Sequence, residues 1–281
     1  MHTDPRVAAL KHAYLETDRA ILGEGGHGLK GGATALSALK EGALLYVAHA
    51  GDSRAVLGRR GKALRLTEDH KPNLPREKQR INALGGLVEL IGCWRVLIAN
   101  PSHGQMLSGL AVSRSLGDAE FKHPRCLVSA EPDVSRVRLR PGDTVVVLGS
   151  DGLWDVIGDQ DAVSIATKAI GDHMRAKSAL SGRGGPGPGA AGRRGMRSTV
   201  GGGMFGGPAG PAGAGRFDGL ASVPVGGTLG RGLGPTFDPW AEGVPIPEAA
   251  ATAAARTLAE RALAAGSMDN ITVVVLALQW L

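Results

Sequence analysis

A tract running from Ser178 to Pro247 holds half of the chain's 44 glycines and opens as SALSGRGGPGPGAAGRRGMRSTVGGGMFGGPAGPAGAGRFDG. Glycine loses more backbone freedom on folding than any other residue, and a segment this poor in large apolar side chains cannot offset that cost by burial. Residues 178–247 are therefore expected to be a disordered, low-complexity insertion. A hydrophobic core must then come from residues 1–177 and 248–281, folding together as one discontinuous domain. With 43% hydrophobic residues in 281, the chain has enough apolar surface for it.

Outside the tract the pattern is strand-rich. ALLYVAHA, RAVLG, LVELI, TVVVLG and ITVVVLAL are short apolar runs punctuated by Gly, Asp and Pro, and they read as strands. Val7, Leu10, Tyr14 and Ile21 recur at helical spacing, which predicts an opening helix with one apolar face. Further helices are expected over PREKQRINALGG, opened by Pro75 and closed by Gly85, and over DAVSIATKAIG, capped by Asp161 and stopped by Gly171. The Ala-rich stretch from Ala249 to Ala265, with Pro247 before it and Gly266 after it, predicts a last helix. Strands in succession with helices between blocks favour an α+β sandwich.

Three apolar strands meet carboxylates at their ends: LLYVAHAGDSR runs into Asp52, TVVVLGSDGLWD into Asp151 and Asp155, and SMDNITVVV enters through Asp269. If the last runs antiparallel to the second, Asp269 and Asp151 share a rim. Two unit charges about 4 Å apart repel by roughly 4 kcal/mol at an effective dielectric near 20, so such a cluster calls for a cation. Oxygen ligands without His or Cys point to Mg²⁺ or Mn²⁺ over zinc. Taken singly, GDSR also suits a hairpin turn, SDG a turn and Asp269 a cap.

Taken together, GGATALSAL, LLYVAHAGDSRAVL, TEDHKP, INALGG, LAVSRSLGD, GSDGLWDV and SMDNITVVV resemble, in order and spacing, the metal-dependent type 2C protein phosphatases of the PPM family. The resemblance covers Val7 to about Ile170 and Ala249 to Leu278. It implies a central β-sandwich flanked by helices in four layers, α-β-β-α, with a metal site at one edge. It also implies hydrolysis of phosphoserine and phosphothreonine in proteins by water shared between two Mg²⁺ or Mn²⁺ ions. Asp151 and Asp269 match ligands of that pair, Asp52 and Asp155 match those of a more weakly bound third ion, and Asp118 of SRSLGD lies near the same group.

The family's leading segment, with a Glu-Asp pair, a phosphate-gripping Arg and a DGHGG motif, has no counterpart here; the chain starts about where the following helix should start. GEGGHGLKGG lies immediately before GGATAL, with Gly25 where the bridging carboxylate is needed, so His27 is read as a loop residue. No side chain of this chain is thus assigned as catalytic, and metal affinity and water activation are expected to fall. The alternative is an impaired phosphatase-like scaffold that binds phosphoproteins. LIANPSHGQMLSG is expected to form a loop near the substrate face, with His103 solvated.

A net charge of +6 suits phosphorylated partners. Nucleic acid is disfavoured, because aromatic residues are only 4% and the Arg-Gly steps of the tract are sparse. Cys93 and Cys126 are too few for a disulfide framework and are expected to be buried reduced thiols. The charged opening and the shortness of the longest apolar run, Ile271 to Leu278, argue against a signal peptide or membrane span. A soluble monomer of the cytoplasm or nucleus is expected.

Overall fold

Strand pairing stacks two antiparallel sheets between helices. The computed structural model of the protein describes residues 4–23, 31–99, 106–181, 196–205, 240 and 244–280. Strands β2 (Ala35–Glu41), β3 (Leu44–Ala50) and β10 (Asp133–Arg138) form the first sheet, in the order β10-β3-β2. The second contains β4 (Arg54–Arg59), β5 (Lys62–Arg65), β11 (Asp143–Gly149), β12 (Met196–Phe205) and β13 (Ile271–Trp280), in the order β12-β13-β11-β4-β5. A two-strand ladder joins β1 (Gly32–Ala33) to β9 (Leu116–Gly117).

The period-two alternation of side chains explains the unbroken apolar runs. Along β11, Val146 and Leu148 pack inward with Leu45, Val47, Leu57, Leu276 and Leu278, forming the core between the sheets. Val145 and Val147 point the other way, into a core shared with helices α4 (Asp159–Ser181) and α5 (Glu248–Ala264). Both faces of β11 and β13 are covered along residues 145–148 and 273–278, which is why those stretches are apolar throughout. On the far side, α1 (Pro5–Leu22) lays Tyr14 against Ala48 and Ala50 of β3, and Tyr14 donates its hydroxyl to the Ala48 carbonyl at 2.7 Å. The layers run α1, first sheet, second sheet, α4 and α5: the expected α-β-β-α order.

α5 is Ala-rich for a packing reason. Ala250, Ala251, Ala254, Ala255, Ala259 and Ala262 are buried, and such small side chains let the helix sit close to α4 and β13. β13 reaches this core from beyond the glycine-rich tract and inserts between β11 and β12.

Several expectations need correction. α4 does not stop at Gly171 but runs from Asp159 to Ser181; Ile170 and Met174 on either side of that glycine enter the same core, and their burial outweighs a glycine cost of about 1 kcal/mol. LIANPSHGQMLSG is not all loop. Its ends belong to β7 (Cys93–Ala99) and β8 (Met106–Leu110), which form a small sheet with β6 (Leu87–Ile91) in the order β6-β7-β8. That sheet packs on Ile81 of α2 (Pro75–Ala83) through Val88 and Val96. Cys93 and Cys126 are exposed free thiols, Cys93 because it follows the tight β6–β7 turn and Cys126 because it sits in a loop.

Most of the 178–247 tract lies outside the described residues, as do His27 and His103. Within it the structure describes one element absent from the sequence reading: β12, paired antiparallel to β13 from Met196 opposite Trp280 to Phe205 opposite Ile271. Among the described residues, no helix is long and apolar enough to cross a membrane.

Candidate metal centre

Backbone register alone brings the strand-end acids to one rim. Gly149 of β11 lies opposite Arg54 of β4 on one side and Val273 of β13 on the other. Asp52 precedes Arg54 by two residues, Asp151 follows Gly149 by two, and Asp269 precedes β13 by two. Since both neighbours of β11 run antiparallel to it, all three fall beyond the same end of the second sheet. Asp155 follows on the short helix α3 (Asp151–Trp154), its amide donating to the Asp151 carbonyl at 2.8 Å.

Hydrogen bonds fix this rim. Ser150 donates its amide to the Thr272 carbonyl at 3.1 Å and its hydroxyl to the Asn270 carbonyl at 3.0 Å, and it accepts from the Thr272 amide at 3.1 Å. The Ser267 hydroxyl donates to the Gly152 carbonyl at 2.7 Å. Trp154 is buried and donates Nε1–H to the Gly149 carbonyl at 2.9 Å, anchoring the turn that carries Asp151 and Asp155. Gly152 is required where it stands, because a Cβ there would come within 2.4 Å of the Asn270 carbonyl oxygen. A Gly152→Ala variant is expected to push the DGLW turn away from the start of β13 and to lose about 1–3 kcal/mol, read as a lower midpoint in thermal melts.

Asp52 is 4% exposed and Asp151 half-buried, while Asp155 and Asp269 are exposed. Burial pushes the Asp151 carboxyl above its usual range, and the charges of Asp52, Asp269 and Asp155 push the same way against the Gly152 amide that donates to it. The three other acids therefore act electrostatically on Asp151, as a shared site requires. In kind the donor set fits a hard divalent cation: carboxylate oxygens, partly desolvated, with repulsion that a cation would relieve. Among the described residues, however, no three His, Cys, Asp or Glu side chains are grouped closely enough to hold an ion. Asp118 sits in the left-handed region at φ 51°, accepts from the Ser115 hydroxyl, and donates its amide to the Gly31 carbonyl at 2.8 Å.

Lys71 and the network behind it are not foreseeable from the sequence alone. Lys71, of TEDHKP, forms an ion pair with Asp52. Next to it, His70 accepts from the Gly51 amide at Nδ1 over 3.1 Å and donates its own amide to the Gly51 carbonyl at 3.0 Å. Gly51 has φ +110°, a conformation L side chains rarely adopt, so this glycine sets the turn that presents Asp52. His70 Nε2 lies 3.2 Å from Asp133 Oδ2. Arg114 links Asp133, at 3.0 Å, to Glu77, at 2.6 Å, and Arg80 donates to Glu77 at 3.0 Å. The signal for this network was in the sequence, as charged residues within TEDHKP, PREKQR and VSRS, but nothing local marks such residues as partners.

Glu77 is 1% exposed. Burial alone would raise its pKa; the hydrogen bonds and charges of Arg114 and Arg80 outweigh burial and hold it at about 2 against an ordinary 4.5. A depressed carboxyl stabilises the fold above its unfolded pKa and loses that contribution as pH falls through the folded one. Stability worth about 3 kcal/mol should thus disappear between about pH 4.5 and about pH 2. Comparing acid melts of the wild type with Glu77→Gln checks this, the variant showing a shallower loss over that window.

The chain thus presents a four-layer α-β-β-α sandwich with carboxylates gathered beyond one end of its second sheet. Residues 3–182 match the family model described as "Protein phosphatase 2C", and the chain belongs to that family. It is 40% identical over 168 residues to "Probable protein phosphatase 2C 27" of Arabidopsis thaliana, covering 59% of this chain and 41% of that one. It is 38% identical over 168 residues to "Probable protein phosphatase 1N" of Mus musculus, covering 58% of this chain and 38% of the relative. The chain thus spans about two fifths of the length of these curated relatives. The crystal structure of a serine-threonine phosphatase 2C from Toxoplasma gondii shares the fold, with a TM-score of 0.53 at 24% identity over 88% of this chain and 58% of that one.

Proposed function

We propose that the protein hydrolyses phosphoserine and phosphothreonine in phosphorylated proteins with Mg²⁺ or Mn²⁺ held at the acid rim. What supports this reading is the strand register, which sets Asp52, Asp151 and Asp269, from three separate stretches of chain, beyond the same end of the second sheet, with Asp155 just after the turn that Asp151 opens. In this proposal Asp151 and Asp269 hold a pair of ions, and Asp52 and Asp155 hold a third more weakly. Ions bound there supply Lewis-acid polarisation of the phosphoryl group and acidify water.

The protein's own part is to fix the carboxylates. Ser150 and Gly152 tie the Asp151 turn to the start of β13, and His70 ties the Asp52 turn in place. The partial burial of Asp151 strengthens every charge interaction at the rim. A monomer in the cytoplasm or nucleus is part of the proposal.

The test is release of phosphate from a phosphothreonine peptide by the chelator-treated chain, with and without added Mn²⁺. Turnover that requires Mn²⁺ supports the proposal. A chain that binds the phosphopeptide and leaves it intact favours the scaffold reading, to which the loose spacing of the acids lends weight.

A further inference from the structure

We propose that Lys71 is a resident counter-cation of the acid rim: its ammonium holds Asp52 in the metal-free protein and gives way when a divalent ion binds. This rests on the reading of the rim as a metal site.

Asp52 has 6% of its side chain exposed, and Lys71 Nζ is its ion-pair partner. Among the described residues, no salt bridge reaches Asp151, Asp155 or Asp269, so one ammonium stands against four carboxylates. A buried carboxylate left without a cation is costly, which is a reason for a lysine beside Asp52. An ammonium and a dication on the same carboxylate repel each other, which is why one must yield to the other.

The backbone beneath Lys71 suits a side chain that leaves and returns. His70 is bonded twice to Gly51, and its carbonyl accepts from both the amide and the hydroxyl of Ser113, at 2.9 and 3.0 Å. The Lys71 amide donates to the Asp69 carbonyl at 2.8 Å, and its carbonyl accepts from the Leu74 amide at 3.1 Å. The Cα is therefore pinned beside Asp52, while the side chain, 38% exposed, has solvent to move into. Exchange of one cation for another then needs rotation of a single side chain and no rearrangement of the sheet. Metal affinity and apo stability are set against each other through this residue.

The experiment measures Mn²⁺ binding to the full chelator-treated chain by loss of the free-ion electron paramagnetic resonance signal, for wild type, Lys71→Gln, Lys71→Arg and Asp151→Asn. Lys71→Gln should bind Mn²⁺ about tenfold more tightly, melt at a lower temperature without metal, and show a larger Mn²⁺-induced rise in melting temperature. Lys71→Arg, which keeps the charge, should stay near wild type. Equal or weaker binding by Lys71→Gln overturns the proposal. If wild type binds and Asp151→Asn binds equally well, the rim is not the metal site and both readings fall; if Asp151→Asn loses binding while Lys71→Gln matches wild type, only the counter-cation falls. Should Lys71→Gln not fold, Mg²⁺ titration of ¹³Cε-lysine-labelled wild type decides. The resonance missing from Lys71→Arg must move as the ammonium is freed, and its failure to move at saturating Mg²⁺ overturns the proposal.

Discussion

An Asp151→Asn variant is expected to lose Mn²⁺-dependent turnover of a phosphothreonine peptide by about a hundredfold or more, while melting at or above the wild-type temperature. The two effects have one cause. Asp151 is the acid on which Asp52, Asp155 and Asp269 all act, and burial opposes its ionisation further. The folded state therefore disfavours the charged carboxylate, and an amide of the same shape relieves that strain. A cation draws on the same crowded charge, and the amide removes one unit of it from the centre of the group. Asn also retains an oxygen that can accept from the Gly152 amide, as Oδ1 of Asp151 does at 2.9 Å, so the turn should survive. Phosphate release and thermal melts on the same preparation check both signs. Retained turnover would remove Asp151 from the site.

Glu77→Ala is expected to cost roughly 3–5 kcal/mol, lowering the melting temperature by about 10 °C or more, although Glu77 lies outside the acid rim. Its carboxylate is almost wholly buried and answers Arg114 and Arg80; removing it takes from both guanidinium groups, themselves largely buried, the carboxylate they share. Glu77→Gln should recover only part of the loss, because an amide accepts hydrogen bonds without offsetting either charge. Arg114 also holds Asp133, which faces His70, which in turn holds the Gly51–Asp52 turn. Destabilisation here should reach the rim as weaker Mn²⁺ binding at temperatures where the chain is still folded. Melts paired with Mn²⁺ titration provide the check.

The elements that were legible in the sequence are those whose signal is local. β3, β4, β11 and β13 announce themselves as apolar runs because burial on both faces makes their central positions apolar, and α5 does so through alanine. β10, DVSRVR, was missed because one face is exposed and two arginines interrupt it; only its pairing with β3 makes it a strand. β12, MRSTVGGGMF, contradicts its own composition, and its strand character comes from the full length of β13 beside it. The end of α4 was misplaced because a glycine inside a helix reads as a stop when the helix on the other side is unseen. For the proposed site, the placing of Asp52, Asp151 and Asp269 beyond one sheet end was readable from strand-end position. Lys71 was not, since a lysine before a proline in a polar loop carries no mark of the carboxylate it will meet, 19 residues away in the chain.

The pairing Arg54–Gly149–Val273 acts as a ruler for chemistry. A slip by one residue along either seam would move one carboxylate about 3.3 Å and turn its neighbours to the opposite face. Misregistered or half-zipped chains consequently possess the same aspartates and no shared basin of negative potential. On the proposed reading of the rim, affinity for a dication would be a sensor of correct zipping, a proofreading signal that a spectroscopist could follow during refolding without any substrate.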